Sequence, residues 1–154
     1  MAETIAAVVG ALVTVILTKW LESGSRLWMG GDRRRSVNGR WRGTLQQIGS
    51  QLSDVQAHTL DMSLDPQWRT IKGTAFFIAS IGGKDITVDL RIRGGFLYER
   101  FLKIDYFHSD SAHMQFGTAV LVLSDDGRTL SGRYVGYGSL TKQIVTGLIE
   151  LAKQ

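Results

Sequence analysis

The sequence predicts a mainly β protein, with one N-terminal transmembrane helix followed by a small eight-stranded antiparallel up-and-down β-barrel. Three observations lead to this prediction. The 154 residues include 18 glycines and a single proline, a composition that favours many turns over long helices. Apolar and polar residues alternate along most of residues 39–151, as in strands with one buried face. Residues 1–28 instead contain an uncharged apolar run.

The N-terminal run TIAAVVGALVTVILT, residues 4–18, predicts a membrane helix, because its apolar residues surround the helix instead of forming one stripe. It is shorter than the ~20 residues that a bilayer core needs. Lys19 can snorkel, however, and apolar residues up to Trp28 extend the run. We therefore expect a transmembrane and juxtamembrane helix over residues 1–28. A buried core helix is the alternative.

The flanks of this helix predict its orientation and its contacts. Its basic residues all follow the apolar run, so the positive-inside rule puts the N-terminus outside and the remaining chain in the cytoplasm. Small residues on the helix would let several copies approach closely and form a homo-oligomer in the lipid bilayer. These expected helix contacts are Gly10, Ala6, Ala7 and Ala11.

Residues 29–38 predict a basic linker, since glycines, charges and turn formers occur there without an apolar period. Residues 39–154 then form the barrel domain. We expect its strands at residues 39–47, 55–65, 70–80, 84–93, 96–108, 113–124, 129–139 and 143–151. The turn signals between them are DPQW (65–68), IGGKD (81–85), RGGF (93–96) and SDDGR (124–128).

The last segment, QIVTGLIELAKQ, is compatible with an amphipathic helix, but its β-branched residues and central Gly147 favour a closing strand. Closure removes the two exposed edges that an open sheet would keep. Trp41 and Tyr134 each lie near glycines and next to arginine. Because strand side chains alternate between faces, we expect both rings in the barrel core and the arginines outside.

Composition and motifs exclude several functions. The chain lacks cysteine, so disulfides and thiolate metal sites are impossible and a reducing compartment is expected. Net charge is only +4, and no basic block suited to duplex nucleic acid occurs outside residues 33–35. His108 and His113 flank an expected hairpin tip without a third ligand, so no metal site is predicted. We predict a protein that is not an enzyme and needs no cofactor.

The glycine and tryptophan at residues 39 and 41 resemble the opening motif of lipocalin-type and avidin-type barrels. The whole layout, including LSGRYVGYG at 130–138, is more similar to the transmembrane β-barrel effectors of CBASS-type bacterial anti-phage defence. This resemblance implies a bacterial inner-membrane protein whose lipocalin-like cytoplasmic barrel binds a cyclic oligonucleotide. It also implies control of oligomerisation and membrane disruption. Those effectors typically carry two membrane helices, whereas one is found here.

A cyclic di- or trinucleotide needs aromatic rings for its bases and cations or donors for its phosphates. Tyr98, Arg100 and Tyr106 can share one strand face, so we expect them to bind the ligand. A bulge that puts Arg100 on the surface is the alternative. Two other functions stay open, a membrane-tethered carrier of a small apolar or amphiphilic ligand and a pure interaction module. A fully apolar lumen would favour the carrier.

Overall fold

The computed structural model describes residues 31–48, 57–81, 84–110, 114–138 and 142–154. One short helix, α1, spans Gly31–Val37 and precedes eight strands. The strands are β1 (Gly39–Ile48), β2 (Ala57–Pro66), β3 (Thr70–Ile81), β4 (Lys84–Leu97), β5 (Phe101–His108), β6 (Phe116–Leu123), β7 (Thr129–Gly138) and β8 (Gln143–Lys153).

The strands form a closed antiparallel barrel in which each strand pairs with its neighbours in the sequence. The seam between β1 and β8 runs from the pair Trp41–Lys153 to the pair Ile48–Thr146. The predicted mainly β, eight-stranded barrel is therefore confirmed. The last segment is a strand and not a helix, because its inward residues complete the core and its backbone completes the closure.

The interior of the barrel is filled by alternate residues from all eight strands. Among the described residues, every buried side chain is apolar except for the hydroxyl tip of Tyr134, and no charged side chain is buried. Trp41 and Tyr134 both belong to this core. The neighbouring Arg40, Arg42 and Arg133 are exposed, as strand alternation requires.

The turn between β4 and β5 differs from the sequence prediction. RGGF at 93–96 was expected to be a hairpin turn, but β4 continues through it to Leu97, and the turn consists of residues 98–100. Gly94 pairs with Ile104, and a Cβ there would collide with the backbone of β5. This glycine therefore permits close strand approach. Tyr98 takes the positive φ of the turn, at 57°.

Two other turns follow their sequence signals. Pro66 ends β2, and the backbone N–H of Gln67 donates to the carbonyl of Thr70 over 2.7 Å. Gly127 has a φ of 69° between β6 and β7, which glycine adopts without a steric penalty. β3 ends at Ile81 and β4 begins at Lys84, while residues 82–83 lie outside the described residues.

A helix occupies most of the segment that was expected to be a linker. Asp32 lies in the first turn of α1, and Arg34 and Arg35 lie in the last, so the charges complement the helix dipole. Val37 is fully buried against the barrel. The indole Nε1–H of Trp41 donates to the Val37 carbonyl over 2.9 Å. A segment this short has no detectable apolar period, so tertiary contacts decide its structure.

The expected membrane helix over residues 1–28 lies outside the described residues, together with its contact residues Gly10, Ala6, Ala7 and Ala11. Within the part of the chain that the structure describes, no helix has the length and apolar character needed to cross a bilayer.

Candidate ligand site at the far end of the barrel

The two ends of the barrel differ in how completely they are filled. At the end covered by α1, called the helix end, the inward residues Ile71, Phe96 and Leu130 are fully buried. At the opposite end, called the far end, the inward residues His58 and Tyr106 are only partly buried. Among the described residues, the lumen is thus less completely buried at the far end than at the helix end.

Tyr106 lies across the inner wall near the far end. It pairs with Gly117 on β6, and Gly117 pairs with Gly136 on β7. A Cβ on either glycine would meet the Tyr106 hydroxyl. The two glycines thus leave the space that the phenol ring occupies, a role that the sequence does not reveal without the strand register.

Tyr134 lies beside Tyr106 and packs in the same way over Gly147 of β8. The two phenol rings are 6.5 Å apart between centroids and are inclined at 68°, the edge-to-face arrangement that aromatic pairs prefer. The two rings therefore form one continuous aromatic surface in the lumen.

Both tyrosines remain protonated near neutral pH and can act as hydrogen-bond donors. Burial raises the pKa of Tyr134 to about 12. Burial raises the pKa of Tyr106 still further, with an additional contribution from the neighbouring Tyr134. No hydrogen bond joins either hydroxyl to a described residue, and that of Tyr106 lies against Gly117 and Gly136. Each protonated phenol thus keeps one O–H donor that no described residue accepts.

His58 adds a third polar group at the far end. Its Nδ1 lies 3.1 Å from the Ile78 carbonyl, and because a carbonyl only accepts, Nδ1 carries the proton in this bond. Nε2 is then an acceptor in the neutral ring and a donor in the cation. The imidazole also lies against Phe77, with 5.7 Å between ring centroids. Aromatic surface and polar groups thus occur together at the far end.

The structure does not bring the three predicted ligand residues together. Tyr106 lies in the lumen near the far end, but Tyr98 and Arg100 belong to the β4–β5 turn at the helix end. The expected shared strand face is wrong, because the turn at residues 98–100 interrupts it. Arg100 is on the surface, where its guanidinium lies 3.3 Å from the Asp125 carboxylate. The alternative of a surface arginine is correct, although a turn and not a bulge causes it.

Sequence reasoning missed His58 as a lumen residue and assigned Tyr134 to the core alone. The glycines that accommodate the two rings, Gly117, Gly136 and Gly147, are the sequence signal for this tyrosine pair. Which residue each glycine faces depends on the strand register. Lys142, at the far end, is exposed and has a φ of 52°. Among the described residues, no group of three or more histidine, aspartate or glutamate side chains is arranged to hold a metal ion.

The described chain is thus a closed antiparallel barrel with α1 over the helix end and the Tyr106–Tyr134 pair in its lumen. No protein-family model matches the chain, and neither the curated proteins nor the solved structures contain a significant match.

Proposed function

We propose that this chain is a membrane-anchored effector whose cytoplasmic barrel binds a small signal molecule at its far end, and that this molecule is a cyclic di- or trinucleotide. The observation that carries the proposal is the pair of inward phenols, Tyr106 and Tyr134, in an otherwise apolar barrel whose inward residues are less buried at the far end. Polar groups placed inside an apolar cavity are typical of ligand sites, where they fix the orientation of the bound molecule.

The chemistry of a cyclic nucleotide fits this arrangement. Its bases are flat and stack on aromatic rings, which Tyr106, Tyr134 and the His58–Phe77 pair provide. Its phosphates accept hydrogen bonds, which the two phenol hydroxyls can donate. Lys142 lies at the same end of the barrel and can supply a positive charge. In this proposal, the base edge enters the lumen and the phosphates stay near the rim.

The output of the effector is assembly of several chains in a bacterial inner membrane. Exposed apolar residues occur on the outer wall of β6–β8, namely Phe116, Val120, Val135 and Ile144. An exposed apolar patch of this kind marks an interaction surface. We propose that ligand favours contact between these walls and so gathers the N-terminal helices into a disruptive array. Ligand can do so only if it binds assembled barrels more tightly than single ones.

A second candidate is a membrane-tethered carrier of a small amphiphilic ligand. The absence of charged side chains from the described core favours it, because an apolar chain would need no counter-charge in the lumen. In this function the phenols of Tyr106 and Tyr134 would bind the polar head. If neither class of ligand binds, the filled barrel is an interaction module.

Calorimetry on the full chain in detergent, with a panel of cyclic di- and trinucleotides, tests the proposal. Tyr106→Phe and Tyr134→Phe should each weaken binding by about 1 kcal/mol, roughly fivefold in Kd, because each removes one neutral donor. Tyr98→Phe is the matched control at the helix end and should bind normally.

Two outcomes would contradict this assignment. Loss of binding in Arg100→Ala with normal binding in Tyr106→Phe would move the site to the helix end. No heat with any nucleotide, together with displacement of a fluorescent fatty-acid probe by unlabelled amphiphiles, would establish the carrier instead.

A further inference from the structure

We propose that the helix end of the barrel is itself a membrane-contacting surface that binds anionic lipid headgroups and holds the barrel upright on the bilayer. This inference rests on the proposed membrane anchor and extends it to the barrel's own residues. It concerns the turn between β2 and β3, the turn between β4 and β5, and α1, which lies between them.

The two most exposed aromatic side chains among the described residues are at this end. Trp68, in the β2–β3 turn, is 69% exposed, and Tyr98, in the β4–β5 turn, is 60% exposed. The two turns are neighbours, because β3 pairs with β4 up to the pair Thr70–Gly95. Tryptophan and tyrosine have an apolar body and a polar tip, and both concentrate at membrane–water interfaces.

The helix α1 places arginines between these aromatic turns. The guanidinium of Arg34 donates to the Trp68 carbonyl and that of Arg33 to the Glu99 carbonyl, both over 3.4 Å. Arg35 is 82% exposed and has only a distant ion pair with Asp32, at 4.0 Å. Carbonyl oxygens bear no net charge, so the cationic charge of Arg34 remains available to a phosphate.

Carboxylates at this end offset part of the positive charge. Asp125 pairs with both Arg33 and Arg100. The β6–β7 turn also lies at this end. Within α1 and the β2–β3, β4–β5 and β6–β7 turns, arginines nevertheless outnumber carboxylates, with Arg33, Arg34, Arg35, Arg69, Arg100 and Arg128 against Asp32, Glu99, Asp125 and Asp126. The net charge is positive but modest.

Position in the chain makes this modest charge sufficient. α1 begins at Gly31, and the apolar run of residues 4–18 precedes it closely in the sequence. A short tether of this kind imposes an effective concentration on the order of millimolar. Contacts too weak to recruit a free protein can therefore orient a tethered one. The far end of the barrel is then directed away from the lipid, toward solution.

Distance-dependent quenching in vesicles tests the orientation. The chain has no cysteine, so Gln67→Cys at the helix end and Gln143→Cys at the far end each allow one fluorescent label on the full chain. Strands rise about 3.3 Å per residue, so the two labels are separated by most of the barrel length. With quencher-bearing lipid headgroups in phosphatidylglycerol-rich vesicles, the label at 67 should be quenched strongly and the label at 143 only weakly.

Charge reversal tests the lipid contact. Arg35→Glu should remove the greater part of the quenching at 67 in anionic vesicles, whereas Arg133→Glu, the same change on the exposed outer wall of β7, should not. Both variants should keep the wild-type circular dichroism spectrum. Equal quenching at 67 and 143, or quenching at 67 that is the same in anionic and neutral vesicles, would overturn the proposal.

The quenching measurement does not depend on nucleotide binding, because no ligand is present in the assay. Failure of the full chain to float with vesicles would contradict the proposed anchor and this inference together. Flotation without preferential quenching at 67 would contradict this inference alone.

Discussion

At the scale of single residues, the hydroxyls of Tyr106 and Tyr134 are the polar groups on which the proposed ligand site rests. Each lies on an apolar wall above glycine, a position that gives the hydroxyl no protein partner among the described residues. Replacing the glycines with larger residues would displace the rings. The position of the two phenols therefore depends on Gly117, Gly136 and Gly147.

The raised pKa of Tyr134 predicts a loss of stability at high pH. The unfolded phenol ionises near pH 10, whereas folding raises its pKa to about 12. The stabilisation is thus fully present below pH 10 and is lost as pH rises toward 12, with a slope of at most about 1.4 kcal/mol per pH unit. Urea unfolding between pH 8 and 12 should show a shallower decline for Tyr134→Phe than for the wild type. The same pH dependence of the free energy of unfolding in both proteins would contradict burial of the Tyr134 phenol.

At the scale of elements, α1 acts as a lid over the helix end. Trp41 connects this lid to the barrel, because its indole packs in the core and donates to the Val37 carbonyl. The ammonium of Lys153 lies 5.7 Å from the Trp41 ring and donates to the Ser36 carbonyl over 2.6 Å. The first and last strands are thus both joined to the helix.

Shortening the indole should therefore destabilise the barrel. Trp41→Phe removes the hydrogen bond and leaves a cavity, and we expect a cost of about 2 kcal/mol in the free energy of unfolding. Trp68→Phe is the matched control, since this tryptophan is largely exposed, and it should change stability by less than about 0.5 kcal/mol. Thermal or urea denaturation measures both. Equal changes in the free energy of unfolding for the two variants would show that the contact between Trp41 and α1 contributes little to stability.

The strands were predictable from sequence because alternation in segments such as DITVDLRIR identifies both the element and its buried face. The sequence prediction put the β4–β5 turn at Gly94 and Gly95, whereas both belong to β4. The sequence alone does not distinguish a glycine that bends the chain from one that allows two strands to approach closely. That error of a few residues placed Arg100 inside the barrel. The tyrosine pair could not be predicted either, because it depends on pairing between β5, β6, β7 and β8, a property of register.

At the scale of the whole molecule, the outer wall of β6–β8 is the surface proposed for self-association. Ile144→Asp puts a charge at a residue that is 76% exposed, so it should leave the fold intact and weaken ligand-dependent assembly. Ile78→Asp, at an exposed isoleucine on β3, is the matched control. Light scattering of the full chain in detergent, with and without nucleotide, measures the change. Assembly that is unchanged in Ile144→Asp, or equally impaired in both variants, would exclude this wall as the specific contact.

The β1–β8 seam also has a consequence during protein synthesis. Seven of the eight strand pairs join consecutive strands, but the seam joins the first strand to the last. Closing so long a stretch of chain is slow compared with forming a hairpin. While a ribosome is still making β8, the outer edge of β1 has no partner and can pair with another chain. When nascent chains are close together, closure of each barrel therefore competes with strand exchange between chains until the eleven residues of β8 are released.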